Sequence, residues 1–413
     1  MSWNRIRLGD IAIFRNGINF GKESYGKGVS LIGVSDFKNR FYPDYETLDE
    51  VKESVVGVND YLDYGDIVFV RSNGNKELVG RCMVIKPTKS KITYSGFCIR
   101  TRIKNKTEHD PIFWTYHFKN ISFRKSMSGN AVGTNIQNLS QGMLSDYEAE
   151  VPDYNTQLRI ASILVDYDNL IENNQKQIKL LEEAAQRLYK EWFVDLRFPG
   201  HENVEVVDGV PEGWKIRKLG DLNHRLESGS RPKGGIDSNL KDGIPSIGAE
   251  NVIGLGKYNF SSEKLISKEF YESMNKGKLK DRDILIYKDG AYIGRTSLFQ
   301  DDFPHREASV NEHVFLLHMD DESLQYYVFL TLYRPEYYLK MQNLNKNAAQ
   351  PGINMKAFKT LDILVPDEAI VVEFNDLVSP MIKSIFSKSK QIKILTEARD
   401  RLLPKLMSGE IEV

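Results

Sequence analysis

Cysteine is nearly missing from this chain: Cys82 and Cys98 are the only two in 413 residues, and with seven scattered histidines they show no spacing that would hold a zinc ion. A disulfide-stapled scaffold is excluded, and a reducing cytoplasm is the expected setting. Long apolar runs are missing too, since stretches such as Ile160 to Val165 fall far short of the roughly 20 residues a membrane span needs. Met1-Ser2-Trp3-Asn4-Arg5 opens no signal peptide, so neither secretion nor membrane insertion is expected. Charge of one sign is also lacking. With 56 basic and 57 acidic residues the net charge is −1, which argues neither for nor against nucleic acid. What is left, 41% hydrophobic and 27% charged with 30 Gly and 14 Pro, is the composition of an ordinary soluble protein of two or three domains.

Charge is distributed unevenly all the same. Arg71 to Asn130 holds 13 Lys and Arg against three acids, Glu77, Glu108 and Asp110, whereas Tyr42 to Asp66 is acidic. That is a local basic surface on a neutral protein.

The chain also repeats itself. Leu8-Gly9-Asp10 recurs as Leu219-Gly220-Asp221, Gly65-Asp66-Ile67-Val68 as Asp281-Arg282-Asp283-Ile284-Leu285, and Gly80-Arg81 as Gly294-Arg295. From Val151-Pro152 against Val365-Pro366 the offset locks at 214, carrying Ile178-Lys179-Leu180-Leu181 onto Ile392-Lys393-Ile394-Leu395. The molecule is a tandem duplication of halves of roughly 200 residues. Each half runs from a Gly-rich, short-stranded globular part through a Val-Pro-Asp turn into a long helix.

The helices carry a coiled-coil period. Ile160, Leu164, Tyr167, Ile171, Asn174, Ile178, Leu181, Ala185 and Leu188 are spaced alternately four and three, and the second copy fills the same places with Phe374, Val378, Met381, Ile385, Lys388, Ile392, Leu395, Arg399 and Leu402. A heptad period specifies a helical partner better than a flat core does, so the two helices are expected to pair, the alternative being that each seam packs on its own globular part. Two equivalent halves related by a two-fold axis would make the pair antiparallel. Asn174 and Lys388 would then meet near the midpoint as a polar layer fixing register.

Between the copies, Asp195 to His201 and Gly209 to Gly213 read as a turn-rich connector. Within the first globular part, Phe97 to Lys104 alternates, with Phe97, Ile99, Thr101 and Ile103 on one face and Arg100, Arg102 and Lys104 on the other. Asp110-Pro111 reads as N-cap and first residue of a helix, and His313 to Met319 followed by Asp320 onward repeats that order, so each globular part is mixed α/β.

Catalytic signatures are weak. Gly21 to Lys27 fits G-x-x-x-x-G-K, but Gly28 stands where a phosphate loop needs a hydroxyl for magnesium. Asp110-Pro111-Ile112-Phe113 only approximates an adenine-holding methyltransferase loop, and Pro43-Asp44 with Glu50-Val51-Lys52 only mimics a nuclease carboxylate cluster. No nucleophile elbow or paired-His helix is present.

Polar loops with the donors for reading DNA are what the sequence does offer. In the first half these are Arg71-Ser72-Asn73-Gly74-Asn75-Lys76, the face of Arg100, Arg102 and Lys104, and the loop carrying Asn130, Thr134, Asn135 and Gln137. In the second half they are Arg231 and Lys233, Lys288 and Tyr292, and the loop carrying Lys346, Asn347, Gln350 and Asn354. Asn and Gln can pair bidentately with adenine and Arg or Lys with guanine, while Gly admits close backbone approach. Taken singly, such residues make turns; as a set beside a basic segment they read as DNA contacts.

The duplication, the Leu-Gly-Asp starts, the strands Gly65 to Val70 and Arg282 to Tyr287, the run Ala349 to Asn354 leading to Val365-Pro366, and the ending Arg401 to Ile411 together resemble the specificity subunit of Type I restriction-modification enzymes. The resemblance covers essentially the whole chain. It implies an α+β fold: a tandem duplication of two mixed α/β target-recognition domains, each followed by a long helix, the two helices pairing as an antiparallel coiled coil. Its segments would be a first recognition domain over 1–153, a helix over 154–193, a connector over 194–212, a second domain over 213–366, and a helix over 367–407 with a tail to 413. The implied function is non-catalytic recognition of double-stranded DNA, each half reading one part of a split, asymmetric target. Two methyltransferase subunits would dock and modify adenine, and motor-endonuclease subunits would join for cleavage. No cofactor is expected on this chain, since S-adenosylmethionine, ATP and magnesium belong to those partners. Gly133 to Gln137 departs from Gln350 to Asn354, so the halves would read different bases. The rivals are a duplicated scaffold that binds proteins without reading DNA, which a salt-dependent gel shift would separate, and a self-sufficient adenine methyltransferase, which methyl transfer by the chain alone would reveal.

Overall fold

A computed structural model describes residues 3–37, 40–72, 79–127, 138–237, 239–344 and 352–413. The chain divides into two compact units, one of residues 1–170 with 395–413 and the other of residues 171–394.

In the first unit a four-stranded antiparallel sheet has the order Ala12–Asn16, Cys98–Ile103, Ile67–Val70, Cys82–Val84. Ile67-Val68-Phe69-Val70 is buried on both faces, which is why it reads as an unbroken apolar run. Ile67 and Phe69 join a core with Phe113, Trp114 and Phe118 of the helix Pro111–Lys119, while Val68 and Val70 join a separate core with Ile32, Phe37 and Tyr94. That helix starts where Asp110 caps it, its carboxylate accepting from Phe113 N at 2.7 Å, and it stops at Asn120 before a second helix, Ile121–Met127. A smaller sheet sets Gly28–Ile32 between an antiparallel Asp49–Lys52 and a parallel Ile92–Tyr94. Trp3–Arg7 pairs with Glu148–Pro152 just before the long helix begins.

The second unit repeats this topology strand for strand. Its sheet runs His224–Ser228, Val314–Met319, Ile284–Tyr287, Thr296–Leu298; its smaller sheet sets Ile244–Ile247 between Leu265–Ile266 and Ser309–Val310; and Lys215–Lys218 pairs with Asp362–Val365. The helix Leu324–Tyr333, apolar all round, stands where Pro111–Lys119 stands in the first.

Each 40-residue helix, Tyr154–Phe193 and Glu368–Met407, begins at an aspartate that caps it: Asp153 accepts from Thr156 N at 3.1 Å and Asp367 from Ala369 N at 3.0 Å. Within the first unit the helices run antiparallel. Ile160, Ala161 and Leu164 share a core with Leu406 and Met407, and further along Asp168 pairs with Arg399. The second unit has the same sense, for Glu182 and Ser389 both reach the Gly256-Lys257 turn while the Phe193 and Phe374 rings lie 4.9 Å apart. No seam residue is fully exposed, whereas Leu180 and Ile394, off the seam, are each 64% exposed.

The seam differs from the expected polar layer at one point. Asn174 is buried, but on the other helix the enclosed polar residue is Ser389, whose hydroxyl donates to Gly256 O at 2.7 Å, and Lys388 is only half-buried. The cause is a second neighbour. This helix also packs on the globular part, Phe386 against Phe303 at 6.0 Å, so the buried stripe widens to Ile382, Phe386 and Ser389.

Candidate nucleic-acid interface

The central strand is pinned at its start. Asp66, fully buried, accepts from Asp63 N at 2.8 Å and from Arg102 Nε at 2.7 Å. Asp283 takes the same place in the second unit, accepting from Lys280 N at 2.7 Å and from Arg225 Nη2 at 2.7 Å, with His318 Nδ1 at 2.8 Å. Burial pushes the Asp283 carboxyl above its usual range while Lys280 N–H and Arg225 hold it down. The turn ahead of each strand needs a left-handed residue: Gly65 supplies φ 81°, and Arg282 adopts φ 66°, tied to Glu322.

A strand fixed at its start delivers its end to a defined place. Arg71 N donates to Phe97 O at 2.8 Å, and Leu139 N donates to Arg71 O at 2.8 Å; Lys288 N donates to His313 O at 3.1 Å, and Ile353 N donates to Lys288 O at 2.8 Å. Arg71 and Leu139, far apart in sequence, therefore meet at one sheet end, as do Lys288 and Ile353. Both units build the same backbone frame and furnish it with different side chains.

Of the residues expected to contact DNA, Asn73, Asn75, Lys76, Asn130, Thr134, Asn135, Gln137, Lys346, Asn347 and Gln350 lie outside the described residues. Arg71 and Ser72 are half-buried at the frame. Tyr292 is exposed with the Arg295 guanidinium 3.6 Å from its ring centre, and Lys233 is exposed. Arg231 Nε meets Glu312 Oε1 at 2.9 Å. Lys288 is largely occupied, with Asp289 3.2 Å from its ammonium and the Phe315 ring below it.

Four of the expected contacts are engaged within the protein, Lys104 and Asn354 while still exposed. Cys98–Ile103 is covered on both faces, and Arg100, 7% exposed, turns inward to donate to Asn59 O at 3.0 Å and Tyr61 O at 3.2 Å. Arg102 is held by Asp66 and Asp63, and the hydrogen bond to Asp66 pushes its pKa up. Lys104 donates to Gly9 O at 3.1 Å and Asp10 O at 2.9 Å. The alternation expected to present three cations to phosphates satisfies loop carbonyls and a buried carboxylate instead. Asn354 is a helix cap, accepting from Ala357 N at 2.8 Å, and Ser140 does the same in the first unit.

The residues just ahead of the strands Cys98–Ile103 and Val314–Met319 were not in the expected set and lie at the same frame. Phe97 is 57% exposed beside Arg71; Glu312, His313 and Asp289 surround Arg231 and Lys288. Aligning the two copies on the common strand brings them out, because Gly96-Phe97 and Glu312-His313 occupy the same place and share no chemistry. Among the described residues no three His, Cys, Asp or Glu side chains are grouped to hold a metal, and no helix is long and apolar enough to cross a membrane.

The family model for the Type I restriction modification DNA specificity domain matches twice, over residues 2–183 and 211–394. The chain therefore belongs to that family: it is a specificity subunit with two DNA target-recognition domains, and not itself an enzyme. It is similar to the specificity subunit of the Type I restriction enzyme MjaIX of Methanocaldococcus jannaschii, with 29% identity covering 73% of this chain and 69% of that one. It is also similar to that of HindI from Haemophilus influenzae, with 24% identity covering 99% of both. The crystal structure of the S subunit of a Type I restriction-modification system from M. genitalium shares the fold, with a TM-score of 0.61 at 16% identity over 98% of this chain and 96% of that one.

Proposed function

We propose that each recognition domain reads one part of a bipartite, asymmetric sequence in double-stranded DNA, and that the paired helices set the unread distance between the parts. Two adenine methyltransferase subunits dock on this chain and act on one half-site each; motor-endonuclease subunits join for cleavage. S-adenosylmethionine, ATP and magnesium reside on those partners, in the cytoplasm. One observation carries this reading: a single backbone frame is built twice and filled with different side chains, as two readers of two different sequences require. The test replaces residues 213–365 with the matching part of a relative and sequences the methylome of cells carrying the chain with its methyltransferase partner. One half of the methylated sequence should change and the other stay intact. Loss of both specificities from a folded assembly would refute independent reading, and a wild-type assembly that binds no DNA would return the chain to a protein scaffold.

A further inference from the structure

We propose that the pair of residues just ahead of the strands Cys98–Ile103 and Val314–Met319 is a base-reading position. In the first domain Phe97 makes an apolar contact with a base, and in the second Glu312 accepts from the exocyclic amino group of cytosine or adenine. The inference rests on each domain reading DNA and names where it does so.

The position is fixed by the backbone and free in its side chains. Phe97 O and His313 O accept from Arg71 N and Lys288 N, which places both pairs against the first residue after the central strand. In the second domain the turn is held rigidly. Asn311, 6% exposed, receives His313 N on its side-chain oxygen at 2.9 Å and Gly229 N on its carbonyl at 3.2 Å, and donates its own N–H to Ile247 O at 3.0 Å. A side chain carried on such a turn is presented at a defined angle. Gly-Phe in one copy and Glu-His in the other show that packing does not dictate the choice.

Phe97 keeps 57% of its surface in water although the domain has two apolar cores to receive it. An aromatic left on the rim beside Arg71 suits a thymine methyl or an unstacked base face. Glu312 lines an open cleft of about 270 Å³ with Arg231, Ile236, Lys264, Asn311 and His313. A carboxylate on a DNA-facing surface is repelled by phosphate, so its use there is to accept from a base amino group and to reject the acceptor edges of guanine and thymine. Its Oε1 is engaged by Arg231 Nε at 2.9 Å and lies 3.5 Å from His313 Nε2. Its Oε2 is enclosed, so the contact with a base falls to Oε1, a carboxylate oxygen that can accept a further hydrogen bond beside Arg231.

The test uses the full chain assembled with its methyltransferase partner. Methylome sequencing compares wild type with Glu312→Gln, which keeps the shape and removes the charge, and with Phe97→Ala. Glu312→Gln should admit a second base at one position of one half-site, with discrimination there falling about tenfold. Phe97→Ala should relax one position of the other half-site. Competition gel shifts with duplexes substituted one base at a time give the same readout from binding if methylation is lost. Unchanged base preferences in both variants, or both changes in one half-site, would overturn the proposal. A wild-type assembly without any defined target would instead sink the DNA-reading function itself.

Discussion

His117 shows how one buried residue fixes the stability of the first domain against acid. Its Nε2 lies 2.7 Å from the Tyr147 hydroxyl, and its Nδ1 has no partner among the described residues, so an imidazolium there would bury an N–H with nothing to accept it. Burial lowers its pKa to about 4, against roughly 6.5 in the unfolded chain. Below 6.5 the unfolded chain takes up a proton that the folded one refuses, so this group's contribution is complete above about pH 6.5 and is lost as pH falls towards 4. At pH 5.5 the loss is about 1 kcal/mol. Between pH 7.5 and 5.5 the wild type should therefore lose about 2–4 °C of melting temperature more than a His117→Phe variant; parallel curves for the two would show that the imidazole titrates normally. Nothing in the local sequence marks this histidine, because Pro111–Lys119 is apolar on all sides and its partner Tyr147 comes 30 residues later. Asp110, by contrast, was legible as a cap, since capping needs only neighbours in sequence.

The long helices were the most legible elements, and what stayed hidden in them is informative. A heptad period marks the buried face but does not say which polar groups on facing helices meet. Arg399, in line with the seam, pairs with Asp168, which lies beside it; their side chains are 20% and 12% exposed, and Tyr116 donates a hydrogen bond to the same carboxylate. Burial and the Asp168 charge push the Tyr116 hydroxyl pKa well up, so it remains a donor. Arg399→Ala leaves the Asp168 carboxylate mostly buried with only the Tyr116 hydroxyl beside it and should cost about 3 kcal/mol, whereas Asp168→Ala leaves Arg399 its second partner Asp400, 2.7 Å away, and should cost less. The double variant should cost less than the sum, with a coupling of about 1–3 kcal/mol in urea unfolding. Additive losses would mean that the two charges are met by other groups. The strand Cys98–Ile103 misled for a related reason. Its alternation of Arg and apolar residues is the pattern of a half-exposed strand, yet Arg100 and Arg102 find carbonyls and carboxylates in the segment from Asn59 to Asp66, a pairing that only the tertiary fold reveals.

At the scale of the whole molecule, the duplication carries the proposed function, and its geometry can be measured. Each helix of 40 residues spans about 60 Å, and the boundary between the compact units falls after Leu170 in one and after Ile394 in the other. In an antiparallel pair with Asp168 opposite Arg399, those two points face each other. Seven residues inserted at both keep every seam position in phase, leave each unit's own core contacts in place, and lengthen the pair by about 10 Å. Three base pairs of duplex span about the same distance. They also turn the second half-site by roughly 100° about the DNA axis, whereas a heptad returns the helix face to within about 20°. The domains must absorb that difference on binding, so methylation should slow while the half-site sequences stay unchanged and the unread spacer grows by about three base pairs. Methylome sequencing reads both quantities together. An active, assembled variant with the original spacer would show that the connector or the docked subunits, and not these helices, set the distance.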